Sequence, residues 1–151
     1  MRVAIVSCVF PPEPVMSAQT SFDLAAEMTR RRHEVVVFTS FPNRPAGVLM
    51  GGTRRRWVHE ERLGGFRLVR SWHFLSEKSA LGSRLMENLS FGITSSWRLL
   101  TEGKFDVAYL NTWPLLSQWL SIMVLRCRSV PIVCAVQDIY PESLTNKDRI
   151  S

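Results

Sequence analysis

The sequence predicts an α/β domain: a mostly parallel sheet covered by helices. Three observations predict it. Short, continuously apolar runs rich in β-branched residues recur at positions 3–9, 34–39 and 131–136, as in strands buried on both faces. Stretches with apolar residues at three- and four-residue spacings lie between them, as in amphipathic helices. The length, 151 residues of which 46% are hydrophobic and 21% charged, is that of one globular domain. Strands that alternate with helices build a parallel sheet through βαβ crossovers.

Residues 3–9 form the first strand. The segment Phe10-Pro11-Pro12-Glu13-Pro14 ends it, because three prolines suit neither a ladder nor a helix. Ser17 is a candidate N-cap for a helix running to about Arg31, with Phe22, Leu24, Ala25 and Met28 on its apolar side. Residues 34–39 (EVVVFT) make the second strand and complete a βαβ unit, expected to cross over right-handedly. Residues 41–65 read as irregular, punctuated by Pro42, Pro45, Gly47, Gly51, Gly52, Gly64 and Gly65. Residues 66–70 (FRLVR) alternate as a strand and precede a long helical stretch from about Ser79 to Thr101. Residues 105–111 (FDVAYLN) form a strand, 114–126 a helix, and 131–136 (PIVCAV) a fifth strand. Pro141-Glu142-Ser143 then opens another helical segment shortly before Ser151. The fifth strand would lie near an uncovered sheet edge, so the chain reads as a fragment, or as a half that needs a partner.

Charge and cysteine content narrow the classes. Nineteen Lys and Arg against thirteen Asp and Glu leave +6, and the segment 28–70 alone carries ten arginines against three glutamates. Such a segment can attract anionic lipid, a phosphorylated ligand or nucleic acid, or simply be a solvated face. Nucleic acid is disfavoured because the aromatics form no stacking platform of the known RNA-binding kinds. Cys8, Cys127 and Cys134 show no metal-ligand spacing, and Cys8 and Cys134 sit in apolar strand runs as core residues. No apolar run reaches the roughly 18 residues of a membrane span, and the N-terminus enters a strand without a signal-peptide pattern. A cytoplasmic protein is expected.

In an open parallel sheet, ligands bind beyond the carboxyl ends of the strands where strand order reverses. Three predicted loops lie there: residues 10–18, 111–114 and 137–143. The dinucleotide fingerprint, the P-loop, the nucleophile elbow and the zincin helix motif are all absent from the sequence.

Four segments carry a family resemblance: Phe10-Pro11-Pro12-Glu13; His33-Glu34-Val35 with Val37 and Thr39; Phe41-Pro42-Asn43 with Pro45 and Gly47; and Gln137-Asp138-Ile139-Tyr140-Pro141-Glu142-Ser143. In that order and spacing they resemble the N-terminal, glycosyltransferase 4-like domain of GT-B-fold, family-four glycosyltransferases, which implies a Rossmann-like, mostly parallel sheet with helices on both faces. Within that group the likeness is to bacterial enzymes of capsule, O-antigen and colanic-acid assembly, including fucosamine transferases. The resemblance implies retaining transfer of a sugar from a nucleotide-sugar donor to a glycan or lipid-linked acceptor, with no other cofactor. It also implies that the donor is bound mainly by a C-terminal domain that these residues do not include. The chain departs from the family in two places. Where members have glycines after strand one, this chain has Val15-Met16-Ser17-Ala18, and where they have Gly-His-Glu-Val it has Arg32-His33-Glu34-Val35. A glycine at position 32 would serve as a left-handed helix C-cap.

The candidate substrate-contacting residues are therefore Glu13, Val15, Met16, Ser17, Asn111, Trp113, Asp138 and Glu142. Asp138 and Glu142 face acceptor hydroxyls in one reading; in the other they cap and electrostatically complement the following helix. Asn111, Thr112 and Trp113 could grip a sugar or merely pack their loop, and Glu13 could meet the donor or be solvated. His33 reads as a structural link between helix and strand, while His59 and His73 show no partner spacing; no catalytic triad or metal site emerges. Arg54-Arg55-Arg56-Trp57 suits an anionic membrane surface, where rings anchor and cations meet lipid phosphates. Trp72, Phe74, Leu75, Leu81, Leu85, Met86, Leu89 and Phe91 supply apolar surface nearby in sequence. The expected partners are thus the donor, the acceptor, a C-terminal domain or partner subunit, and a membrane face.

Overall fold

Alternating in–out side chains on successive short strands require a helix on each side of the sheet, and the chain supplies them. The computed structural model describes residues 1–43, 48–49, 56–76, 81–111 and 113–136. In chain order these form β1 (Arg2–Val6), α1 (Met16–Arg30), β2 (Glu34–Ser40), β3 (Val58–Leu63), β4 (Phe66–Ser71), α2 (Leu81–Thr101), β5 (Val107–Asn111), α3 (Leu115–Cys127) and β6 (Ile132–Ala135). The sheet has six strands in the order β3-β4-β2-β1-β5-β6. All pairings are parallel except β3 with β4. Strand order reverses beside β1, whose neighbours are β2 and β5.

The two faces bury different residues of the same strands, as the two-residue period demands. Val3, Ile5, Val35, Val37 and Leu68 pack with Ala25 and Phe22 of α1. Ala4, Val6, Val36, Phe38 and Val69 pack with Phe91 and Leu99 of α2 and Leu125 of α3. Phe10, Phe22 and Phe66 meet with centroids about 6 Å apart, a spacing and tilt that aromatic pairs favour. The Rossmann-like class predicted from the sequence is the fold observed.

Four expectations need correction. First, the segment read as irregular contains β3, an antiparallel edge strand joined to β4 by Gly64 and Gly65, both at positive φ (57° and 91°). Its sequence VHEERL has no hydrophobic alternation because its last four residues are exposed, and charges on an edge strand discourage pairing with other chains. Second, Ser17 does not cap α1. The helix starts at Met16 with extended Val15 in the cap position and no capping side chain. Third, Cys134 is exposed because β6 is the sheet edge, whereas Cys8 is buried as expected. Fourth, the basic segment is not one patch. Arg30 and Arg31 pair with Glu27 at the end of α1, holding its carboxyl down at about 2. Arg67 joins Glu60 and Glu102 near the amino edge of the sheet, and Arg70 meets Glu61.

Arg32 does take the left-handed conformation, at φ 62°. The amide of His33 bonds the Met28 carbonyl at 3.1 Å and that of Arg32 the Thr29 carbonyl at 2.9 Å, which is a Schellman cap. Helix α3 ends in the same way: Ser129 has φ 54°, with Val130 bonding to Leu125 and Ser129 to Arg126. Neither site holds the glycine that this conformation favours, so each carries a strain of about 1 kcal/mol. Arg32→Gly and Ser129→Gly should each raise the melting temperature by about 2–4 °C, and the pair should be additive because the sites are distant. Calorimetry of both single variants and the double variant checks this; no gain at either site would count against the strain.

Candidate functional site

The reversal of strand order opens a crevice between the carboxyl ends of β1 and β5. Its floor is polar. Ser7, just past β1, donates to the Val9 carbonyl at 2.8 Å and receives bonds from Ser21 of α1 at 3.0 Å and from Asn111 Nδ2 of β5 at 3.4 Å. All three side chains are buried. One wall is the start of α1, where no side chain caps the first turn. Amides at a helix start attract anionic or oxygen-rich groups. Val15 and Ser17 are half-buried there, and Met16 projects at the lip with 82% of its surface exposed. Trp113, half-buried, and Pro114, joined by a cis bond, begin the opposite wall.

The loop over β1 is held by a second polar group. Glu13 is only 4% exposed, and its two carboxylate oxygens accept the amides of Phe10 and Asn43, both at 3.1 Å. One side chain thus ties the loop after β1 to the loop after β2. Arg70 clamps the same loop from β4, donating to the Pro11 carbonyl at 2.7 Å and to the Ser40 carbonyl at 3.4 Å. Below it, Asn43 Nδ2 donates to His73 Nε2 at 3.0 Å and to Glu87 of α2 at 3.2 Å. Four elements therefore converge beneath the loop: β1, β2, β4 and α2.

Glu13 is thus not a solvated carboxylate; burial and two buried amide partners make it a residue that positions the loop. Asn111 and Ser17 line the crevice, with Val15, Met16 and Trp113 on its rim. Asp138 and Glu142 lie outside the described residues, as do Thr112, Arg54 and Arg55. Arg56 and Trp57 are exposed, and Trp57 stacks on Trp72 with centroids 5.5 Å apart. Phe91, counted with the membrane-facing residues, is in the core at 1% exposure. Sequence spacing missed Ser7, Ser21, Asn43, Arg70, His73 and Glu87 as site-building residues. Their only local signals were a polar pair of serines flanking the proline loop and a lone arginine within an apolar strand. Among the described residues, no group of three His, Cys, Asp or Glu could hold a metal ion.

An open, doubly wound α/β domain with a polar crevice at its switch point is a Rossmann-like binding domain. Within that class the chain belongs to the glycosyl transferase 4-like domain family, whose pattern is matched by residues 17–149. It is a glycosyltransferase domain of the GT-B, family-four kind. No curated protein matches the chain.

Proposed function

We propose that the chain is the acceptor-side, N-terminal half of a retaining glycosyltransferase. It would move a sugar from a nucleotide sugar to a glycan or lipid-linked acceptor in bacterial surface-polysaccharide assembly, at the cytoplasmic face of the membrane. The observation that carries this reading is the crevice itself. Asn111, held by Ser7, and the uncapped first turn of α1 offer hydrogen-bonding groups suited to hydroxyls and phosphates, under a loop that Glu13 and Arg70 hold in place. A binding half needs a second half for the donor, and β6 supports that requirement. Val133 is exposed on one face of this edge strand. On the other, Ile132 and Cys134 line an open groove of about 390 Å³ with Ile122, Arg126 and Val130. Such an edge suits further structure, supplied by the same chain or by a partner subunit.

The test is transfer from a panel of nucleotide sugars, measured with the chain alone and with a donor-binding half supplied in cis or in trans. The expected result is no transfer by the chain alone and transfer once the second half is present. Transfer by the chain alone would overturn the half-site reading. In the active assembly, Asn111→Ala should raise the acceptor KM about tenfold, the loss of one hydrogen bond of about 1.4 kcal/mol, with the donor KM little changed. An unchanged acceptor KM would remove Asn111 from the site.

A further inference from the structure

Helices α2 and α3 cover the sheet, yet each also turns an apolar stripe away from it. On α2 the stripe is Leu85, Met86, Leu89, Ile93, Trp97 and Leu100, all more than a third exposed. At 3.6 residues per turn these positions fall within about 120° of the helix surface. They lie opposite Phe91, Ser95 and Leu99, which are buried. On α3 the stripe is Leu115, Leu116, Trp119 and Met123. The two stripes adjoin because the helices touch closely: a Cβ on Gly92 would lie 2.8 Å from the Ser117 Cα. The result is a broad apolar face with Trp97 61% and Trp119 56% exposed. Faces of this kind mark interaction sites rather than ordinary solvent-exposed surface.

Charge identifies the occupant. The exposed charge beside the two stripes is Arg126, in the last turn of α3; Arg84 is also exposed but lies seven residues before Phe91, on the other side of α2. The one carboxylate within the two helices, Glu87, turns inward to Asn43, and Glu102, just after α2, is drawn into contacts with Arg2, Arg67 and Arg98. The same face of a second copy would bring its own Arg126 and offer no carboxylate to pair with this one. Lipid phosphates meet both needs, since they pair with arginine while acyl chains take up Leu, Ile and Met, and indole rings settle at the headgroup level. No helix among the described residues is long and apolar enough to cross a membrane, so contact would be in the plane of the surface.

We infer that the outer face of α2 and α3 is a docking surface for an anionic lipid bilayer, on which the two helices lie parallel to the membrane. This surface differs from the segment with Arg56 and Trp57, which directly precedes β3. Both helices begin at the carboxyl edge of the sheet, so docking holds the crevice beside the headgroups. That last consequence rests on the acceptor-site reading; the lipid contact does not.

The test uses the full chain and flotation with vesicles of phosphatidylcholine alone or mixed with phosphatidylglycerol, with tryptophan emission recorded in parallel. Two paired variants, I93Q/W97Q and W119Q/M123Q, replace exposed side chains, and circular dichroism melts verify that they fold. The expected result is flotation with the mixed vesicles and a blue-shifted emission. Each paired variant should lower partitioning by about tenfold or more, and R126E should weaken the preference for phosphatidylglycerol while R84E, on the other side of α2, should change it less. Absence of flotation by the folded chain at low ionic strength would overturn the inference. So would flotation unchanged in both paired variants, flotation lost only in R54A/R55A/R56A, or a dimer in sedimentation that the paired variants dissociate while vesicles are ignored.

Discussion

Glu13→Ala should lower the stability of the domain by about 3–5 kcal/mol, because two buried amides lose a charged acceptor together. A hydrogen bond to a charged group contributes about 1.5–3 kcal/mol, and a buried donor left unsatisfied adds its own desolvation cost. In a chain of this length that corresponds to a fall in melting temperature of roughly 10 °C. The side chain that is lost joins two residues that only the fold brings together: Phe10 after β1 and Asn43 after β2 share its two oxygens. Hydrogen exchange separates this loss from general destabilisation. The amides of Phe10 and Asn43 should lose protection well beyond the change at β1 and β2, and Glu13→Gln should spare one of them. Equal loss of protection throughout the domain would reject the staple. In the active assembly, the same variant should weaken binding at the crevice, because the loop forming its roof is no longer held from both sides.

Gly92→Val should cost about 3 kcal/mol. Helix propensity favours the substitution, since glycine in a helix is worth about 1 kcal/mol less than alanine. Packing opposes it more strongly. A Cβ at position 92 would stand 2.8 Å from both the Ser117 Cα and a Leu120 methyl. The leucine can rotate away, but the backbone of α3 can move only if the helices separate. Overpacking of this kind costs about 1–3 kcal/mol, and more for a branched side chain. Gly82 supplies the control: nothing lies within 4 Å of its virtual Cβ, so Gly82→Ala should be neutral or slightly stabilising. Denaturant titration of both variants, with Leu120→Ala added to Gly92→Val, checks the cause. Full rescue by Leu120→Ala would mean that the methyl contact, and not the backbone, was limiting.

These two residues illustrate what can and cannot be read from one dimension. Gly92 looks like an ordinary helix-weakening glycine until α3 is placed against it. Glu13 looks like a solvated carboxylate in a proline loop until Asn43 arrives from another strand. Asn43 was quoted as part of a motif, yet its links to His73 and Glu87 span 30 and 44 residues, and no spacing rule covers such distances. By contrast, Arg32 was legible at once. A left-handed C-cap depends on only a few consecutive residues, and its geometry is as expected from the helix-to-strand junction. The hairpin strand β3 falls between these cases. Its Gly64-Gly65 turn is a recognised hairpin signal, but the strand before it carries charges where alternation was sought.

The sequence by itself determined the strands β1, β2, β4, β5 and β6, the three helices and the α/β class, because apolar runs and helical periods are local patterns. It also located the loops that flank the crevice, since parallel strands place all such loops at one edge. The tertiary structure alone decided which polar residues hold that edge, that Cys134 faces solvent and not the core, and that the apolar residues of α2 divide into a buried and an exposed stripe. The physical reason is the same in each case. Burial and hydrogen-bond partners are properties of what packs against a residue, and those neighbours come from other parts of the chain.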